Sequence, residues 1–114
     1  MASYIGIDLG TSFSAVATLD STGRPKIIEN KGKNITASCV MLENDQLEVG
    51  EKPEIRFGLP GFDVGARFKR HMGEAQVFSL GKKSFSATDL SAAVLTEMKR
   101  VAEAEIGQIA EAVI

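Results

Sequence analysis

The chain has 114 residues, 44% hydrophobic and 25% charged, with a formal net charge of -2. That is globular composition, enough for one domain that buries roughly two-thirds of its unfolded surface. It excludes disorder and a surface of clustered cations built to neutralise nucleic-acid phosphates.

No apolar run approaches the roughly 20 residues of a membrane-spanning helix, and no basic-then-apolar leader opens the sequence. The expectation is a cytoplasmic protein with neither a nucleic-acid nor a membrane partner. Cys39 is the only cysteine, so no intrachain disulfide forms, and in "ASCVML" it reads as a small buried apolar residue.

In chain order, "YIGID" (4–8) and "FSAVATLD" (13–20) read as strands, placing Asp8 at the C-terminal end of a buried-looking strand. A turn follows at "STGRP", where Gly23 supplies a positive φ, and then a third strand at "KIIEN" (26–30). The connections are too short for a crossover helix, so the three strands form an antiparallel meander. After "NKGKNIT" come a strand at "ASCVMLE", a hairpin turn at "ND" and a short strand at "QLEVG". Short helical segments are expected over 51–57 and 63–70, interrupted by "GLPG", then a small hairpin of "QVFSL", "GKK" and "SFS".

The clearest helix runs from Ala87 to Ile106. Ser86 at its N-cap and Asp89 three residues on form a capping-box-like pair. Leu90, Val94, Met98 and Val101 make an apolar stripe opposite Glu97, Arg100, Glu103 and Glu105, the pattern of a helix facing a core. Gly107 ends it, and "EAVI" reads as the opening of one more strand, which suggests a piece of a longer protein.

The chemistry lies in "DLGTS". Between antiparallel strands, Gly10 permits a tight turn with successive N–H groups close together, while Thr11 and Ser12 add hydroxyl donors, a combination suited to phosphate. Asp8 beside a bare phosphate would repel it, but a divalent cation reverses that sign and makes the carboxylate a water-bridging ligand. A plain hairpin with Asp8 as a turn former is the alternative, since neither a Walker A nor a Rossmann glycine pattern occurs. His71 is the only histidine, has no second ligand at metal spacing, and reads as structural or exposed.

Three segments carry a resemblance. "IGIDLGTSFSAVA" is similar to the first phosphate loop of the actin-like ATPase superfamily, above all to the seventy-kilodalton heat-shock chaperones of DnaK type with their "GIDLGTT". "FKRHMG" (68–73) resembles the "KRLIG" or "FKRxMG" stretch of these chaperones, the latter form in the HscC-like branch. "SATDLSAAVLTEMKRVAEAEIG…EAVI" resembles their helix leading into an "AVITVPA" strand.

The resemblance implies an α/β (α+β) fragment: a three-stranded meander of an actin-like, ribonuclease-H-like lobe plus part of a small inserted α+β subdomain. Residues 1–36 would be the lobe's first strands and phosphate loop, 37–110 the inserted subdomain, and 111–114 the start of a returning strand. It implies ATP or ADP with Mg2+ as ligands. Asp8 would place the magnesium through water, Gly10, Thr11 and Ser12 would face the β- and γ-phosphates, and Arg70 would assist there. Lys69, acting with Asp8 and Thr11, would be the catalytic lysine, since phosphoryl transfer is mostly positioning and electrostatics.

As partners the resemblance implies unfolded polypeptide clients, a J-domain co-chaperone and a nucleotide exchange factor, all acting on the full-length parent. A fragment is expected to be inactive alone and to self-associate through exposed edges. The sequence departs from the family at Ser12, usually threonine, and at Ala37, usually proline. The alternatives are an actin-like filament protein, a sugar-kinase-type relative and a non-catalytic interaction module. Lys69 in "FKRHMG" separates the chaperone from the filament protein.

Overall fold

The structure is a computed structural model that describes residues 3–114. β1 (Tyr4–Leu9) and β2 (Phe13–Leu19) form the expected antiparallel hairpin, and β3 (Pro25–Ile27) extends it into a meander. Gly23 takes φ 84° in the second turn, where the Asp20 carboxylate accepts from the Thr22 hydroxyl and from the Thr22 and Arg24 amides. Two further strands complete a five-stranded sheet. β4 (Thr36–Ala37) pairs with the start of β2, and β10 (Glu111–Val113) lies parallel to β1 with Tyr4 opposite Glu111.

Side chains alternate along β1: Ile5 and Ile7 are buried, while Tyr4, Gly6 and Asp8 face out. Asp8 is therefore exposed, contrary to the expectation of a buried strand. The helix α2 (Ala87–Ile106) packs with Ile5, Ile7 and Val16 on one face, while Tyr4, Leu19 and Val113 stand exposed. The third strand is shorter than expected: its last tie to β2 is the Ile28 N–H donating to the Val16 carbonyl at 2.8 Å, after which Asn30 bridges to Lys33 instead.

A second sheet, in the order β6-β5-β7, is built from β5 (Cys39–Glu43), β6 (Gln46–Val49) and β7 (Val64–Ala66). The expected turn between β5 and β6 holds Asn44 and Asp45 at φ 51° and 65°, the left-handed pair of a two-residue hairpin. α1 (Glu51–Arg56) follows, and β8 (Val77–Leu80) pairs with β9 (Lys83–Ser86) as anticipated. The helical segment expected over 63–70 is absent. Val64–Ala66 instead pairs antiparallel with β5, Gly65 opposite Val40, and only Phe68–His71 winds, as one 3-10 turn entered through Arg67 at φ 54°. Extended pairing wins there because it lets Gly65 pass beneath Leu90.

α2 is the shared support. Its capping box forms as expected: Ser86 Oγ accepts the Asp89 N–H at 3.0 Å, and Asp89 Oδ2 accepts the Ser86 N–H at 2.9 Å. Leu90, Val94, Met98 and Val101 are buried in one core with Ile5 and Val16 from the large sheet, Val40 from the second and Leu80 from the β8–β9 hairpin. Each such side chain stabilises the fold by about 1.5–3 kcal/mol. On the outer face, Arg100 donates two hydrogen bonds of 2.8 Å to Glu97.

Candidate functional site

The β1–β2 turn owes its shape to Gly10. A Cβ at that position would lie 2.1 Å from the Phe13 carbonyl oxygen, so only glycine lets the backbone fold back so closely. Ser38, between β4 and β5, holds the turn from below: its hydroxyl donates to the Gly10 carbonyl and its N–H to the Ser12 carbonyl, each at 2.9 Å. The Ser14 hydroxyl stands 2.9 Å from that of Ser38. Above this base Thr11 is half-buried and Ser12 exposed, which leaves both hydroxyls within reach of a ligand.

Thr11 and Ser12 line a cleft of about 220 Å³ together with Ser38, Cys39, Glu54 and Arg67. Arg67 is a non-glycine residue held in the left-handed region, a conformation that costs on the order of 1 kcal/mol and recurs at functional sites. Its guanidinium carbon lies 5.7 Å from the centre of the Phe57 ring, within cation–π range. Burial pushes the Cys39 thiol up to about 11; the negative charge of Glu54 adds to this and the positive charge of Arg67 opposes it. A protonated thiol is a poor nucleophile, so Cys39 packs rather than reacts.

The other sequence candidates do not line this cleft. Asp8 is exposed one residue before Leu9 ends β1. Lys69 and Arg70 are exposed on the 3-10 turn that follows Arg67, with no ion pair among the described residues. Phe68, only 1% exposed and edge-on to Phe78 at 6.3 Å, anchors that turn, so the lysine beside it projects outward. His71 is half-buried, its Nδ1 2.6 Å from Glu74 Oε2, which makes it a local structural contact.

Asp8 contributes one carboxylate, and no group of three or more His, Cys, Asp or Glu converges among the described residues. One carboxylate cannot cage a bare ion; a Mg2+ ion held there would keep several waters and take its other ligands from substrate phosphates. Sequence reasoning missed Arg67 and Ser38. A hint of Ser38 lay in "TASCVML", where small polar residues interrupt an otherwise buried run. Nothing local marks Arg67 as left-handed.

A larger groove of about 480 Å³ between β6 and α2, lined by Lys31, Glu48, Thr96 and Arg100 among others, contains none of these residues. No helix among the described residues is long and apolar enough to cross a membrane.

The family model described as Hsp70 protein matches residues 4–79, a span that takes in the Gly10 turn, the cleft and Lys69. The chaperone protein DnaK of Metamycoplasma hominis is 38% identical over 105 residues, which cover 91% of this chain. The chain spans only about one-sixth of that relative's length, 17%. The mixed strand-and-helix fold and these two similarities agree, and the chain belongs to the Hsp70 family.

Proposed function

We propose that this chain forms the first part of the nucleotide-binding domain of an ATP-dependent molecular chaperone, in which ATP hydrolysis drives binding and release of unfolded polypeptides. Family membership supports the chaperone reading. The observation that carries the site is the Gly10 turn, whose Thr11 and Ser12 line a cleft shared with Arg67 and Glu54.

In this reading, the Gly10–Ser12 backbone and the two hydroxyls bind the β- and γ-phosphates. Asp8 holds Mg2+ through water, and the ion supplies charge neutralisation on the phosphate oxygens. Lys69, next to the anchored Phe68, orients the attacking water and stabilises the charge spread over the transferred phosphoryl group, with Arg70 assisting nearby. Residues 1–36 form the lobe's first strands, 37–110 an inserted subdomain and 111–114 a returning strand. The chain's departure from the large sheet after Ala37 and its return at Glu111 support that division.

The parent works in the cytoplasm with a J-domain co-chaperone and a nucleotide exchange factor, and this chain alone does not hydrolyse ATP. Titration calorimetry of ATP against the full-length parent and against the 114-residue chain tests the reading. Tight, Mg2+-dependent binding by the parent and millimolar or weaker binding by the chain are expected, because one loop offers few contacts against an association cost of roughly 4–15 kcal/mol. No nucleotide binding by the parent would overturn it.

A further inference from the structure

Ser38 is 1% exposed, lies in no strand, and spends both of its donors on one turn twenty-odd residues upstream. Its single hydroxyl proton goes to the Gly10 carbonyl, so in the 2.9 Å contact with Ser14 it is Ser14, also 1% exposed, that donates. Its N–H goes to the Ser12 carbonyl. One buried residue thus secures the carbonyls on both sides of Thr11.

Peptide planarity gives this a directional consequence. A trans peptide points its N–H opposite its C=O, and no cis peptide occurs among the described residues. With the Gly10 carbonyl drawn inward to Ser38, the Thr11 N–H points outward, the direction from which a ligand approaches. Released, the carbonyl could swing toward that ligand and set an oxygen against an anion.

We propose that Ser38 is a positioning residue for nucleotide binding: it holds the Gly10 and Ser12 carbonyls so that the turn offers donors rather than acceptors to the phosphate chain. The proposal rests on the reading of residues 10–12 as a phosphate loop. It predicts an effect that depends on phosphate and is separable from fold stability.

The test compares Ser38→Ala with Ser14→Ala in the full-length parent, measuring melting temperature and the affinities for ATP, ADP and adenosine. Both changes remove one member of the same buried hydroxyl pair, but only the first frees the Gly10 carbonyl. Expected is a loss of about tenfold in ATP and ADP affinity for Ser38→Ala, the scale of one hydrogen bond, with adenosine affinity unchanged. Ser14→Ala is expected to lower the melting temperature while keeping ATP affinity within about twofold.

Equal losses for the two variants, or an unchanged ATP-to-adenosine ratio in Ser38→Ala, would overturn the proposal and leave Ser38 a packing residue. A wild-type parent that binds adenosine as tightly as ATP would instead overturn the phosphate-loop reading itself. If Ser38→Ala does not fold, Ser38→Cys keeps the shape with a poor donor. Wild-type ATP affinity in that variant would also count against the proposal.

Discussion

Leu90 lies directly over Gly65: a methyl group on that glycine would come within 2.7 Å of Leu90 Cδ1 and 3.7 Å of the Val40 carbonyl oxygen. Both residues are buried, one on α2 and the other on β7, so neither has room to move away. Gly65→Ala is expected to destabilise the 114-residue chain by about 1–3 kcal/mol through overpacking. Leu90→Ala is expected to cost about 2–5 kcal/mol through the cavity it opens. Combined, they should cost less than their sum, because the new methyl enters the space vacated. Denaturant midpoints of the four proteins check this, and strict additivity would contradict the contact.

Lys69 offers a second test. Its charge matters most as negative charge redistributes during phosphoryl transfer, so Lys69→Ala in the full-length parent should keep ATP affinity while single-turnover hydrolysis falls by about two to three orders of magnitude. Unchanged hydrolysis would remove the lysine from the mechanism.

A third concerns alkaline pH. Burial raises the Cys39 thiol from near 9 when unfolded to about 11 in the fold. Its folded value is raised, so the stability it contributes is complete below pH 9 and is lost as pH rises through 11. Denaturation of the wild-type chain and of Cys39→Ala at successive pH values isolates this group from the lysines and the tyrosine. The wild type should lose stability relative to the variant between pH 9 and 11, and parallel curves would refute the shift.

A fourth concerns association. β10 has three exposed residues, with Val113 75% exposed, and beside it Tyr4 and Leu19 leave apolar surface uncovered. An open strand edge next to an apolar face favours strand pairing, so the isolated 114-residue chain should form dimers or larger species as concentration rises. Sedimentation velocity reads this directly, and a single monomer peak at millimolar concentration would refute it.

What could be read from the sequence was local. The β1–β2 hairpin, Gly23, the Asn44–Asp45 turn and the Ser86–Asp89 capping box each depend on residues a few positions apart, and all stand where expected. The stretch 63–70 misled because its strand exists only through pairing with β5 and the passage beneath Leu90, contacts made 25 residues away. Asp8 was misjudged because an apolar run says nothing about whether both faces of a sheet are covered. The turn residues Gly10, Thr11 and Ser12 were visible as a motif. Ser38 and Arg67 were not, since each reaches the cleft from a distant part of the chain.

The parallel pairing of Tyr4 with Glu111 also sets an order of assembly. During synthesis at about 5–20 residues per second, β10 leaves the ribosome roughly 5–20 s after β1. A hairpin forms in about 1–10 μs but is marginal on its own. For those seconds the β1–β2 hairpin opens and closes without the neighbour on its β1 edge, and without α2 beneath Ile5, Ile7 and Val16. The segment bearing the Gly10 turn is thus made before α2 and β10 and secured only after them, so a nascent chain stalled before α2 emerges would expose that edge to pairing with any other strand nearby.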